Sequence, residues 1–291
     1  MKLSIVIISI VIFINPIFAQ KWVLTGLENE SILSIIVNPL NSNIILTGVQ
    51  DDGIYISSDK GNSWSHSQGR MSVYCLALDR FNNQVIYAGT DNEILVSRDG
   101  GNYFNTLYSF QDNITINCIV IDETQTKSIL IGTSKGIYKS FDRGRSFIKA
   151  GLEGQNISSL AVNNSGNKAI IFAATMGGGI FKTANYGTSW ISINNGINDL
   201  PIYSIICNFK QPSNLFASTL ESGVFISTND GNNWNNLNIE INKKQGIIIS
   251  QSVDSVQNLT AIFIINFSGE VLISKNSGQT WEEVNNNITL P

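Results

Sequence analysis

The sequence predicts an all-β chain, a six-bladed β-propeller of four-stranded antiparallel blades. Three observations carry that prediction. One eight-residue pattern, Ser/Thr-x-Asp/Asn-x-Gly-x-x-aromatic, occurs six times, starting at Ser57, Ser97, Ser140, Thr183, Ser227 and Ser274. Successive copies lie 40, 43, 43, 44 and 47 residues apart, the spacing of a unit that holds several short strands. Between the copies, β-branched and aromatic runs alternate with Gly, Asn and Asp, and no sustained helical periodicity is visible.

Each unit divides into four strand-like segments. The first is an apolar run: LSIIVNP at 33–39, YCLALDR at 74–80, NCIVIDE at 117–123, SSLAVNN at 158–164 and YSIICNF at 203–209. One aligned position in it is always small, namely Ser34, Cys75, Cys118, Ser159, Ser204 and Ser250. First strands line a propeller axis, where blades converge, so crowding explains small residues there; a ring of hydroxyls holding a ligand is the alternative. The second segment reads IILTG at 44–48, VIYAG at 85–89, ILIG at 129–132, IIFAA at 170–174 and LFAS at 215–218. The third runs straight into the eight-residue pattern, and the fourth starts at its aromatic residue. Within the pattern, Gly permits a tight turn, Asp or Asn can bond turn N–H groups, and the aromatic is expected to bury against its own blade. A further segment, 21–27, resembles a fourth strand; it is expected to help close the ring near blade six, and a remnant seventh blade is the alternative.

Residues 1–19 read as a signal peptide: Lys2, an apolar run over 3–14 broken by Asn15-Pro16, and a small residue at Ala19. The run is shorter than the roughly 20 residues a spanning helix needs. Residues 20–291 are then one propeller domain with six repeats, exported to a periplasmic, cell-surface or extracellular location. The whole chain carries a net charge of −4, only 14% charged residues and five arginines. That composition gives no footprint for nucleic acid and no polybasic membrane patch, and no membrane insertion of the mature chain is expected. Three cysteines, Cys75, Cys118 and Cys207, do not make a disulfide framework; they read as packed thiols, with a Cys75–Cys118 bridge left open.

The repeated pattern resembles the Asp-box, or BNR repeat. The blades are similar to sortilin-type propellers, to photosystem II assembly-factor-type propellers and to those of xyloglucan-degrading hydrolases. The residues that match the box are Ser57, Asp59, Gly61 and Trp64; Ser97, Asp99 and Gly101; Ser140, Asp142, Gly144 and Phe147; Gly187 and Trp190; Gly231 and Trp234; Gly278 and Trp281. Asn185, Asn229 and Asn276 stand where the family prefers Asp, and Phe104 and Phe147 replace Trp. The resemblance implies a fold rather than an activity, since such boxes occur in hydrolases, sorting receptors and assembly factors alike.

Two enzyme readings follow from it. Sialidases of this type use three arginines, one in an Arg-Ile-Pro motif; Arg70, Arg80, Arg98, Arg143 and Arg145 do not match that set. Xyloglucan hydrolases place two carboxylates across a cleft between two propellers, and this chain has length for one. Glycoside hydrolysis needs an acid and a base or nucleophile roughly 5–10 Å apart. The weak catalytic candidates are Asp51, Asp52, Asp91 and Glu93, on the loops joining second to third strands. Asp112, Glu153, Asp199, Glu221 and Glu270 fall on the same face. A solvated Asp-Asp-Gly turn is the favoured reading of the first pair. His66 has no nucleophile motif beside it, Met176–Gly179 lacks the rest of a phosphate loop, and no metal site or cofactor is expected.

A binding reading fits the loops 105–115 and 192–203. Their candidate binding residues are Tyr108, Phe110, Asp199 and Tyr203, with Leu200 and Ile202 beside them. Packing into the ring mouth is the competing role for these side chains. The sequence therefore points to an exported, non-catalytic propeller that takes a protein or glycan ligand through its loop face, with a glycoside hydrolase-like enzyme as the alternative.

Overall fold

A computed structural model describes residues 26–27, 29–79, 81–122, 128–165, 169–198, 200–208, 210–219, 221–237, 239, 248–254, 259–266 and 270–284. Residues 1–19, expected to be a signal peptide, most of the strand-like segment 21–27, Arg80 and Asp199 lie outside these residues.

Six four-stranded antiparallel sheets follow one another along the chain, each joined in simple strand order, and no helix occurs among the described residues. This is a six-bladed β-propeller. Blade one is β1 Ile32–Val37, β2 Ile45–Val49, β3 Gly53–Ser57 and β4 Ser65–Gln68. Blade two is β5 Cys75–Leu78, β6 Ile86–Gly89, β7 Glu93–Ser97 and β8 Asn105–Ser109. Blade three is β9 Ile116–Ile121, β10 Ile129–Thr133, β11 Gly136–Ser140 and β12 Ile148–Lys149. Blade four is β13 Ile157–Asn163, β14 Ile170–Thr175, β15 Ile180–Thr183 and β16 Ile191–Ser192. Blade five is β17 Ile202–Cys207, β18 Leu215–Thr219, β19 Val224–Ser227 and β20 Asn235–Asn236. Blade six is β21 Ile248–Asp254, β22 Leu259–Ile265, β23 Val271–Ser274 and β24 Glu282–Glu283.

The chain forms two compact units, Met1–Ser134 with Lys139–Ile148, and Lys135–Tyr138 with Lys149–Pro291. Unit one holds blades one and two and most of blade three; unit two holds blades four to six. In each, the second strands are the most buried, as strands covered on both faces must be: every residue of β2, β6, β10 and β18 is buried. A core of Leu46, Ile54, Val73, Ile86, Leu95 and Phe104 fills unit one. Phe172, Ile193, Ile205, Leu215 and Trp234 belong to the main core of unit two.

The small first-strand residues are explained by packing. Ser34 pairs with Gly48, Cys75 with Gly89 and Cys118 with Gly132. Ser159 pairs with Ala174 and Ser204 with Ser218. A Cβ on Gly48 would overlap Ser34 Oγ and lie 2.6 Å from Val73 O; one on Gly89 would lie 2.6 Å from Cys75 Sγ. The polar tips bond the next blade: Ser34 Oγ donates to Val73 O at 3.4 Å, Ser159 Oγ to Ile205 O at 3.4 Å and Ser204 Oγ to Ile249 O at 3.0 Å. Blade six departs, with an exposed Ser250 opposite Phe263. All three cysteines are free thiols; burial pushes the Cys75 thiol up, and Cys207 up to about 12.

The eight-residue motif forms the same turn in all six blades. Ser57 Oγ donates to Asp59 Oδ1 and accepts from Gly61 N, both at 2.8 Å. Asp59 Oδ1 also accepts from Ser63 N at 2.8 Å. The equivalent bond from the glycine N–H to the Ser or Thr hydroxyl recurs at Gly101, Gly144, Gly187, Gly231 and Gly278, at 2.8–3.1 Å. The Ser or Thr is between 0 and 2% exposed in every copy. Two consecutive left-handed residues make the reversal: Lys60, Arg143, Tyr186, Asp230 and Ser277 have φ of 55–66°, and the glycine after each has φ of 78–86°.

The motif's aromatic residue reaches further than the sequence reading allowed. It packs across to the preceding blade as well as on its own. Trp190 Nε1 donates to Ala150 O at 2.7 Å, and Trp234 Nε1 to Ile193 O at 2.8 Å. The fourth strand is the blade's outer edge, so its first residue has no further strand of its own to cover it. The neighbour's outer strand supplies both apolar surface and an open carbonyl. At the N-terminal side, a Cβ on Gly26 (φ 86°) would lie 3.9 Å from Trp64 Cδ1, and one on Gly151 (φ 94°) would lie 2.7 Å from Trp190 Cδ1.

Candidate functional site

Every blade has two ends. The turns from first to second strand and the motif turns sit at one, here the motif end. The turns from second to third strand and the blade-to-blade connections sit at the other, the loop end. All four candidate carboxylates lie at the loop end of unit one.

Asp51 occupies a left-handed turn position (φ 60°) after β2. Its Oδ1 accepts from Ser72 Oγ at 2.8 Å, and its N–H donates back to that oxygen at 3.0 Å. This reciprocal pair latches the blade-one turn to the lead-in of blade two. Asp52 Oδ2 accepts from Tyr55 Oη at 2.5 Å, which pushes the Tyr55 phenol up to about 12, chiefly through that hydrogen bond and secondarily through burial. The His66 ring packs 4.7 Å from the Tyr55 ring, and its Nε2 lies 2.6 Å from Asp52 O.

Blade two repeats the latch with other chemistry. Asp91 Oδ1 accepts from Thr115 Oγ1 at 2.8 Å, and Oδ2 from Tyr74 Oη at 3.1 Å. Burial first, and the Asp91 charge second, raise the Tyr74 phenol. Glu93 Oε1 accepts from Ser109 Oγ at 3.1 Å, and Oε2 lies 3.4 Å from Thr106 Oγ1. Each candidate carboxylate is thus held by hydroxyls of its own unit. They fall into two sets, one on each blade's turn, as structural latches and turn formers do. Among the described residues no group of three or more His, Cys, Asp or Glu side chains comes together.

The aromatic binding candidates separate. Tyr108 and Phe110 come together in unit one, with ring centroids 4.8 Å apart, and both pack on Phe147, at 5.2 and 5.6 Å. They are half-buried and support the blade-three motif, which is a packing role. Tyr203, in unit two, is the extra residue of a β-bulge between Ile202 and Ser204, and burial raises its phenol. Leu33, Asn117 and Ser158 sit at the matching irregularity of β1, β9 and β13, and Tyr74 directly precedes β5. Bulges re-aim a side chain at the loop end of the innermost strand. The sequence reading missed Tyr74, Ser72 and Thr115. Tyr74 carried a usable signal, because it precedes an aligned small residue just as Tyr203 does. Of the other loop-end carboxylates, Glu153 pairs with Lys149 at 3.3 Å and Glu270 Oε2 accepts from Asn266 Nδ2 at 2.6 Å.

No protein-family model matches this chain, and no curated protein matches it by sequence. Solved structures do. An ancestral GH74 enzyme aligns over 87% of this chain at 14% identity with a TM-score of 0.73. The GH74 enzyme from Niastella koreensis aligns over 86% at 19% identity with a TM-score of 0.67. The chain spans 41% and 46% of those two proteins. YCF48 bound to D1 peptide aligns over 87% of this chain and 80% of its own length, at 14% identity with a TM-score of 0.63. At such identities the likeness establishes the shared fold: this chain is a β-propeller similar in structure to GH74 enzymes and to YCF48.

Proposed function

We propose that this chain is an exported, non-catalytic β-propeller that binds a protein partner through its loop end. Its repeated turns are read as Asp-box repeats, residues 1–19 as the export signal and 20–291 as the working domain. One observation carries the reading: Asp51 and Asp52 each give one carboxylate oxygen, and Asp91 and Glu93 give both, to hydroxyls of their own unit. A glycosidase pair instead needs one carboxyl free to protonate the leaving group and one aimed at the sugar or a water. Size adds support, since the chain covers most of YCF48 and under half of the GH74 enzymes.

The loop end of unit one is acidic, with Glu30, Asp51, Asp52, Asp91, Glu93 and Asp112 against Arg70. That balance steers towards a partner with basic character. Tyr74, in the same unit and bonded to Asp91, supplies an amphipathic ring that anchors such contacts. The test is capture from the native envelope and medium with the purified chain as bait, beside a variant carrying Asp52→Lys, Asp112→Lys and Tyr74→Ala. A partner held by the parent chain and lost by the variant is the expected result. A partner held equally by both would overturn the loop-end assignment. Turnover of a polysaccharide by the parent chain would instead favour a glycoside hydrolase-like enzyme.

A further inference from the structure

The exposed large hydrophobic side chains of the described residues are not scattered. Six of seven belong to unit one, and all of those lie at its motif end. Leu40 and Phe81 stand on the β1–β2 and β5–β6 turns, 77% and 69% exposed. Tyr103 and Phe141 project from motif turns, 58% and 53% exposed. Val37 ends β1 and Ile148 begins β12, so both lie at the same end. Phe81 shares a shallow depression with Tyr87, Asp79, Asp122 and Arg143. At about 200 Å² per ring, the three exposed aromatics alone present roughly 350 Å². That sum approaches half of the roughly 800 Å² one partner gives to a standard interface.

The charges at this end select the occupant. Lys60, Arg98, Arg143 and Arg145 lie on the motif turns of unit one, and Asp59, Asp99 and Asp142 lie on the same turns. Cations and carboxylates therefore nearly balance, residue beside residue. A strongly anionic partner or bilayer would meet a repelling carboxylate next to almost every cation. A second copy of the same surface can instead set each cation against a carboxylate, as a twofold contact requires.

We propose that the motif end of unit one is a twofold interface between two copies of this chain. The apolar turn tips cover one another, and the alternating charges fix the register. Because the loop ends point the opposite way, such a dimer presents two loop ends outward and binds bivalently, which raises avidity without any new contact. The interface uses none of the loop-end residues, so it stands or falls separately from the binding reading above.

Sedimentation equilibrium and light scattering of the purified chain, over a roughly hundredfold concentration range, test it. The expected result is a reversible dimer. Leu40→Glu with Phe81→Glu, both at exposed turn positions, weakens dimerisation at least tenfold, with the circular dichroism spectrum and unfolding midpoint retained. Asp112→Lys, at the loop end, leaves the dimer intact. A chain that stays monomeric throughout, or a dimer that survives the Leu40/Phe81 variant, overturns the proposal. So does a monomer that co-sediments with vesicles of phosphatidylglycerol and phosphatidylcholine and loses that binding in the same variant.

Discussion

The two ends of each blade are made from the same strands yet solve the same problem in opposite ways. At the motif end, one hydrogen-bond set recurs six times: a buried hydroxyl, a short Asx side chain and two left-handed residues. At the loop end the side-chain latches differ from blade to blade, while backbone bonds such as Val73 N to Val49 O and Ile116 N to Thr90 O recur. Asp51 meets Ser72 and Asp91 meets Thr115 of the following blade, whereas Tyr74 meets Asp91, and Ser134 Oγ accepts from Thr115 N, within one blade. Both ends tie their turn backbones down with side-chain hydrogen bonds. The repeated end does so with fixed residues, so the fold depends on them individually. The varied end does so with whatever is at hand, which leaves its surface free to suit a ligand.

If that contrast is right, substitutions at the motif end should move stability most. The largest effect belongs to Trp234, only 3% exposed and bonded to Ile193 O. Trp234→Ala should cost about 3–5 kcal/mol in urea unfolding, and Trp234→Phe about 1–3 kcal/mol, since it keeps much of the packing and orphans the carbonyl. Loop-end binding by the folded fraction should be unchanged. Next comes the motif hydroxyl: Ser57→Ala should cost about 1–3 kcal/mol by the same measurement. Ser227→Ala should cost less, because Ser57 donates to a carboxylate and Ser227 to the neutral amide of Asn229.

That last pair sharpens the contrast within the motif end itself. Blades one to three carry Asp59, Asp99 and Asp142; blades four to six carry Asn185, Asn229 and Asn276. The geometry is kept while one bond reverses. Ser63 and Ser146 hydroxyls donate to Asp59 and Asp142, whereas Asn185 and Asn276 donate to Ser189 and Thr280 hydroxyls. The Ser63 and Ser97 hydroxyls hold the Asp59 and Asp99 carboxyls low, and the Ser146 hydroxyl holds Asp142 at about 2. An unfolded Asp titrates near 3.9. The unfolded chain thus binds more protons in this window, and these groups' stabilisation, full above about pH 4, is lost as pH falls towards 2. Replacing all three by Asn should flatten that acid slope, read from unfolding curves at stepped pH. A slope unchanged by the triple variant would break the assignment.

The smallest effects belong to the loop end. Asp52→Asn and Asp91→Asn should each shift stability by less than about 1 kcal/mol, as exposed hydroxyl–carboxylate pairs do. Their signature is spectroscopic. The Tyr55 phenol should fall from about 12 towards 10 in Asp52→Asn, followed by phenolate absorbance. A large destabilisation by either change would erase the difference between the ends.

How much of this the sequence shows follows the same division. The repeat of Ser, Asx, Gly and aromatic is local, so six blades and their strand order are legible from spacing alone. The inter-blade reach of Trp190 and Trp234 is not, because pairing partners such as Ala150 O lie 40 or more positions away. The candidate carboxylates were legible as turn residues, but their hydroxyl partners Ser72 and Thr115 come from the following blade, and Tyr74 from well upstream in Asp91's own blade. Tyr108 and Phe110 read as loop anchors in sequence; Phe147, which claims them, lies in the next motif. Asp199 falls outside the described residues.

The central claim is that the loop end binds and does not catalyse. The most direct measurement is reducing-end release from xyloglucan and a panel of other polysaccharides by the purified chain, beside a variant carrying Asp51, Asp52, Asp91 and Glu93 as Asn. The account predicts no release by either protein above a buffer blank. Sustained release by the parent chain that disappears in the variant would contradict it.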